Sequence, residues 1–260
     1  MKRFIMLQLI LAGILLFSFS SIKYAQDKGM KDQLFYVHEE VAKVSMIDQY
    51  EKTNMQFFDL FKKNNLDVPG IYTAQGDDYH YYFLIPIDNY AGIDKISEAF
   101  NSFFKAVNGD SFQKLSDENN AAISYTHDFV LRRSAELSYY GKDTSMDSGK
   151  KFIHWDFYTF KPGTMQKVTE LAKKFKELYT SKGIENRYTV WFADMGENNN
   201  LVIVSHIAKD AASYYSESKA ENEKLGEEGE ALWKQMVQLL AKFDHRNGMR
   251  RDDLMYEKAK

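Results

Sequence analysis

Hydrophobic positions along the chain switch repeatedly between a period of two and a period of 3.6. Leu34 to Val44 alternates like a half-buried strand. Met46 to Asn65 then places Ile47, Tyr50, Phe57, Phe58 and Phe61 on one helical face, with Ser45 positioned as the N-cap. Val68 to Gly76 and Tyr79 to Ile87 read as a hairpin around the turn signal Gly76-Asp77-Asp78. Ile93, Ile96, Phe100, Phe103, Phe104 and Val107 form the stripe of a second helix, and a shorter helical piece, Asp110 to Ala122, precedes a strand at His127. The order then recurs. Phe152 to Phe160 is a strand, and Lys161-Pro162-Gly163-Thr164 opens a helix whose stripe includes Met165, Val168, Leu171, Phe175 and Leu178. Tyr188 to Met195 and Leu201 to Ile207 form a hairpin. Asp210 to Leu225 and Glu227 to Phe243 are helical, divided at Gly226, before a strand at His245.

A short block also occurs twice. His127, Leu131, Arg132 and Arg133 match His245, Met249, Arg250 and Arg251 at identical spacing, and each block is followed by an acidic residue, a leucine and a tyrosine: Glu136, Leu137, Tyr139 and Asp253, Leu254, Tyr256. One residue is missing before the second tail. Two such blocks about 118 positions apart point to an internal duplication in which each block closes one copy. The expected units are residues 33–140 and 151–256. The polar, glycine-bounded stretch 141–150 has the composition of a flexible linker.

Each unit reads β-α-β-β-α-β, with both helices on one face of an antiparallel sheet, so the other face needs a cover. A second copy supplies one. On this element order, and on Lys161-Pro162-Gly163 between first strand and first helix, residues 33–256 resemble the dimeric α+β barrel superfamily in a tandem, single-chain form similar to its NIPSNAP and antibiotic-biosynthesis-monooxygenase branches. The resemblance implies an α+β fold of two tandem ferredoxin-like units packed sheet to sheet as a pseudo-dimeric barrel around a cavity. It matches no catalytic signature residue by residue. Haem-binding members of the superfamily carry an axial histidine on a helix, whereas all six histidines here fall on strands or strand edges.

The N-terminus changes the setting. Lys2 and Arg3 precede an uncharged run from Phe4 to Ile22, the layout of a secretory signal peptide, with cleavage expected after Ala25. The mature chain then carries 31 basic and 37 acidic residues, a net charge of −6, and contains no basic tract. An exported, periplasmic or extracellular monomer is expected, without a further membrane span and without a nucleic-acid partner. The absence of cysteine excludes disulfides, thiol catalysis and a lipid-modified cysteine. With 19 Phe and 17 Tyr the chain has ample bulk for a core.

Aligning Lys43 with Lys161 assigns strand faces. Phe35, Val37 and Val41, with Ile153, Trp155 and Thr159, form a mostly apolar set expected to face the helices, and Glu39 matches Phe157. The opposite parity carries Tyr36, His38 and Glu40 in the first unit and His154, Asp156 and Tyr158 in the second, expected to line the shared cavity. Two imidazoles, two carboxylates and two phenols suit three readings: an acid-base site, a metal site or a hydrogen-bonded polar core. No catalytic residue, metal or cofactor is assigned on this basis. The leading function is small-molecule binding in that pocket. The alternatives are a cofactor-independent monooxygenase- or isomerase-like enzyme, of the kind the resemblance implies, and an envelope protein-interaction module.

Other features point to structure. His38-Glu39-Glu40 lacks the second histidine of a zinc helix motif, and no phosphate loop, nucleophile elbow or calcium loop occurs. His206 reads as a core histidine, and His80 as part of an aromatic wall. The twin arginines are expected to pair with Glu136 and Asp253, and Glu217 to Glu230 to form a solvated helix face.

Overall fold

The computed structural model describes residues 31–141 and 149–258; the expected signal peptide and linker residues 142–148 lie outside them. The first half comprises β1 (Gln33–Ala42), α1 (Ile47–Lys63), β2 (Gly70–Gly76), β3 (His80–Ile87), α2 (Ala91–Val107), α3 (Asp110–Ala122) and β4 (Ile123–Tyr139). The second comprises β5 (Phe152–Phe160), α4 (Met165–Ser181), β6 (Tyr188–Ala193), β7 (Leu201–Ala208), α5 (Ala211–Leu239), β8 (Leu240–Arg250) and a short β9 (Tyr256–Glu257). Ser45 does not cap α1. Val44–Met46 form a 3-10 turn, and Met46 precedes the helix without a side-chain cap. Asp210 does cap α5, its carboxylate accepting from the Ser213 amide at 2.8 Å.

The strands run β3-β1-β4-β6-β7-β5-β8-β2, and β2 pairs back onto β3, which closes an eight-stranded antiparallel barrel. The order is β4-β1-β3-β2 in the first half and β8-β5-β7-β6 in the second. Both seams join the halves: β4 pairs with β6, and β8 with β2. Closure leaves no long unpaired strand edge. No helix among the described residues is long and apolar enough to cross a membrane.

Three apolar clusters follow from this topology. One lies between the first-half sheet and α1 and α2, around Tyr50, Phe58, Phe61, Phe83 and Phe103. Its counterpart in the second half is built on Val168, Leu171, Leu178, Val202 and Met236. The third fills part of the barrel lumen with strand residues of both halves, including Phe35, Val37, Phe129, Leu131 and Ile203.

The tail of each half finishes the core of the other. Leu137 and Tyr139 bury in the second-half cluster, where the Tyr139 hydroxyl donates to the Ile184 carbonyl at 2.5 Å. Leu254 and Tyr256 bury in the first-half cluster, where the Tyr256 hydroxyl donates to the Leu66 carbonyl at 2.6 Å. Arg251 adds a buried clamp on the second tail, bidentate to Asp253 and donating to Glu51 and Gln75 of the first half at 2.6 Å each. The expected Arg251–Asp253 pair is therefore present. Glu136 instead meets Lys173 at 2.7 Å, while Arg132 pairs with Asp32 at 3.0 Å.

The repeated blocks are out of step by one residue. His38 lies opposite Asp128 on β4, and Asp156 lies opposite His245 on β8. His245 thus corresponds in position to Asp128. His127 faces the lumen beside Phe129, whereas His245 stacks on His154 beneath the helices. Equal spacing within each block hid an offset that the strand pairing sets.

Two outcomes follow. Cleavage at a protease site placed within 142–148 leaves two fragments that co-elute under native conditions, because both seams and both tails cross between halves; separation into soluble monomers would contradict this interlock. Arg251→Ala lowers unfolding free energy by about 2 kcal/mol in urea titrations, since it removes the charged hydrogen bonds to Glu51, Gln75 and the half-exposed Asp253.

Candidate functional site

The barrel lumen is not filled. Small eight-stranded barrels have room for side chains alone or for one small ligand, and here a cavity of about 600 Å³ remains, lined by residues of both halves. Strand alternation supplies its walls: Val37 and Glu39 from β1, Tyr82 and Leu84 from β3, Trp155 and Phe157 from β5, Trp191 from β6 and Arg246 from β8. Trp191 is oriented by its indole N–H, which donates to Ser205 Oγ at 2.9 Å. Trp155 packs edge-on to Tyr82 at 6.1 Å and lies over Gly248. A β-carbon at Gly248 would collide with the Gln75 carbonyl and stand 2.5 Å from the Trp155 ring, so glycine makes room for the indole.

One part of this wall is polar. Glu39 is buried in the strand between Val37 and Val41, and its carboxylate is held by two imidazoles: Oε1 lies 2.6 Å from His80 Nδ1 and Oε2 lies 3.4 Å from His127 Nδ1. His127 Nε2 is in turn 3.0 Å from the Gly196 carbonyl. Beside Glu39 in register, the Tyr82 hydroxyl accepts from Arg246 at 2.7 Å. Arg246 is also 3.6 Å from Asp78, and its guanidinium lies over the Phe157 ring at 5.1 Å. Burial raises the Tyr82 pKa, which keeps the phenol protonated despite the opposing pull of Arg246. Burial disfavours the Arg246 charge, but Tyr82, Asp78 and Glu39 outweigh it and hold the cation. A carboxylate acceptor, a neutral phenol and a guanidinium donor therefore converge on an aromatic cavity.

The six residues expected in that cavity lie elsewhere. The two parity sets are separated as expected, but the faces are inverted: Val37, Ile153, Trp155 and Thr159 line the lumen, whereas Tyr36, His38 and Glu40 line a cavity of about 580 Å³ beneath the first-half helices. Asp156 and Tyr158 line one of about 520 Å³ beneath the second-half helices, and His154 is buried beside Tyr214 of α5. The six thus form two clusters on opposite halves.

In the first, His38 is 2.7 Å from Asp128 and 3.2 Å from Glu40; Tyr36 donates to Asp128 and Tyr50 to Glu40, each at 2.6 Å. Burial pulls the His38 pKa down, but bonds to Glu40 and Asp128 override it and lift the value to about 9. In the second, His154 bridges Asn247 at 2.7 Å and Asp156 at 3.2 Å. Burial again opposes its charge, and Asp156 and Asn247 raise its pKa on balance. Among the described residues no group of three or more histidines, aspartates or glutamates is arranged to hold a metal ion.

Three sequence signals marked the lumen residues. Glu39 is the one charge within an otherwise apolar parity set, His80 and Tyr82 share a parity, and His127 opens the repeated block.

No protein-family model matches the sequence, and no curated protein matches it. Solved structures do match its fold. An anthrone oxidase-like protein has a TM-score of 0.56 at 8% identity, over 88% of this chain and 94% of its own. A candidate monooxygenase from Fusobacterium nucleatum has 0.54 at 13%, over 87% and 95%. A mutant chlorite dismutase from Candidatus Nitrospira defluvii has 0.51 at 7%, over 85% and 92%. The fold is that of the dimeric α+β barrel proteins.

His38 gives a pH signature. Its pKa is raised on folding from 6.5 to about 9, so its contribution to stability is complete below 6.5 and fades as pH rises through about 9. The stability difference between wild type and His38→Gln in denaturant titrations shrinks across that window; a difference independent of pH would show that His38 is not held as the imidazolium.

Proposed function

We propose that this chain binds a small, planar, largely aromatic molecule in the barrel lumen. One end of the ligand carries an acceptor for Arg246 and a donor for Glu39. The observation that carries the reading is the unfilled cavity of about 600 Å³ between Trp155, Trp191 and Phe157, with Glu39, Tyr82 and Arg246 converging on it. Tryptophan and phenylalanine faces favour a flat apolar body. The guanidinium and carboxylate fix its orientation with the hydrogen-bonding positions left over from their bonds to Tyr82, Asp78, His80 and His127.

The matching strand orders and reciprocal tails support an origin by tandem duplication of a ferredoxin-like unit, as in the NIPSNAP-like reading. On that reading the internal pseudo-dimer is complete as a monomer. Lys2, Arg3 and the apolar run after them support export as a periplasmic or extracellular protein.

A second reading, that the site is catalytic, rests on Glu39. A buried carboxylate oriented by two histidines and lining a ligand cavity is built to take a proton from a bound molecule and return it at another position. The names of the fold neighbours, a candidate monooxygenase and an anthrone oxidase-like protein, support an enzyme in general and not this proton transfer in particular.

Tryptophan fluorescence with 1-naphthol as probe tests the binding reading. Saturable quenching is expected for wild type, at least tenfold weaker binding for Arg246→Ala and Glu39→Gln, and near-wild-type binding for His38→Gln, whose side chain faces the other side of the sheet. Equal binding by the lumen variants and wild type would overturn the assignment.

A further inference from the structure

The cavity beneath the second-half helices has chemistry unlike the lumen. It measures about 520 Å³ and is bounded by Tyr158, Phe175, Tyr179, Tyr214, Trp233 and Phe243. Trp233 and Phe243 are 39% and 46% exposed and form its rim. Helix α5 breaks above it: Gly226 has φ 54° and ψ −148°, a backbone state that glycine adopts without a β-carbon penalty. Gly226 and Gly229 both line the space, so the break leaves part of the roof without side chains.

The acidic run does not form a solvated face throughout. Glu217, Glu221 and Glu230 line this cavity. Glu230 is 3.7 Å from Lys234, and Asp156 is held by His154. Glu221 differs. It is half-buried and accepts from two neutral donors, Asn186 at 2.7 Å and Tyr179 at 3.4 Å, with no ion-pair partner among the described residues. A carboxylate has about four acceptor positions, so two stay open. His206 also lines the cavity. Its ring lies between Tyr188 and Tyr214, and its nitrogens make no hydrogen bond to the described residues. Burial pulls its pKa down to about 4, so it is neutral and keeps one acceptor nitrogen.

We propose that this cavity binds a protonated organic amine with an apolar body, its ammonium directed at Glu221 and His206 and its body enclosed by the aromatic rim. An ammonium group carries three N–H donors and no acceptor, which matches an unpaired carboxylate and a neutral imidazole. Aromatic faces attract the cation through their quadrupoles, more strongly where water is excluded. An anionic ligand would face the carboxylates of Glu217, Glu221 and Glu230 against one guanidinium in the lining, that of Arg187, and is disfavoured.

Isothermal titration of the full chain with 2-phenylethylammonium tests this, with the neutral isostere 2-phenylethanol as control. The amine binds saturably and the alcohol at least tenfold more weakly. Glu221→Gln weakens the amine at least tenfold, Trp233→Leu weakens it severalfold, and Arg246→Ala in the lumen leaves it unchanged. Equal binding of alcohol and amine, no saturable binding of the amine, or full affinity in both Glu221→Gln and Trp233→Leu would overturn the proposal. Loss of amine binding in Arg246→Ala with retention in Glu221→Gln would place the amine in the lumen and also overturn it.

Discussion

Barrel closure is the constraint on which the rest depends. A four-stranded sheet with helices on one face exposes an apolar face, and each half here carries such a sheet. The β4–β6 and β8–β2 seams turn two open sheets into one closed surface, so every interior strand edge is paired. The tails then lock the closure. Leu137 and Tyr139 belong to the second-half core, and Leu254 and Tyr256 to the first, so neither half completes its own apolar layer. Arg251 makes the arrangement unequal: it ties the second tail to Glu51 and Gln75, and among the described residues no arginine makes the equivalent bonds to the first.

Much of this order was legible because it rests on local periodicity. Strand alternation and helical stripes are set by the geometry of single elements, and Phe152 to Phe160 or Asp110 to Ala122 could be bounded from sequence alone. The break at Gly226 was legible for the same reason. What periodicity omits is sign. A period of two separates Tyr36, His38 and Glu40 from Phe35, Val37 and Glu39, but does not say which set meets helices. The mostly apolar set is the one expected against the helices, which leaves the polar set to the interior. The interior holds Phe35, Trp155, Phe157 and Trp191 and the polar set faces the helices, where it meets Asp128, Tyr50 and Asn247. Register is likewise set by partners: His127 and His245 occupy identical positions in their blocks yet opposite faces, because β4 and β8 enter their pairings one residue apart.

The same geometry accounts for polar clusters beneath the helices. Helices cross a sheet with gaps at their ends, and there Tyr36, His38 and Glu40 or His154 and Asp156 find partners in Asp128, Tyr50 and Asn247. Each carboxylate in these clusters is matched by a phenol or an imidazole. Such satisfied groups add specificity to packing, and their hydrogen-bonding capacity is largely spent. Glu39 is also held by histidines, but it lines the cavity, where its remaining lone pairs face unfilled space rather than a helix.

Unspent hydrogen-bonding capacity is what the two proposed sites share and the satisfied clusters lack. Glu221 accepts two hydrogen bonds from neutral donors but makes no ion pair among the described residues, whereas Asp253 is held by Arg251. Asp156, two residues from Tyr158 on the same face, is answered by His154 within β5 itself. Glu221 shares its cavity with Tyr158, Tyr179 and Tyr214 and makes no ion pair among the described residues. The lumen is mixed in charge, with the Glu39 carboxylate and the Arg246 guanidinium side by side. One chain thus holds two aromatic cavities of contrasting electrostatics on opposite faces of a single sheet, and β5 lines both, with Trp155 and Phe157 toward one and Asp156 and Tyr158 toward the other.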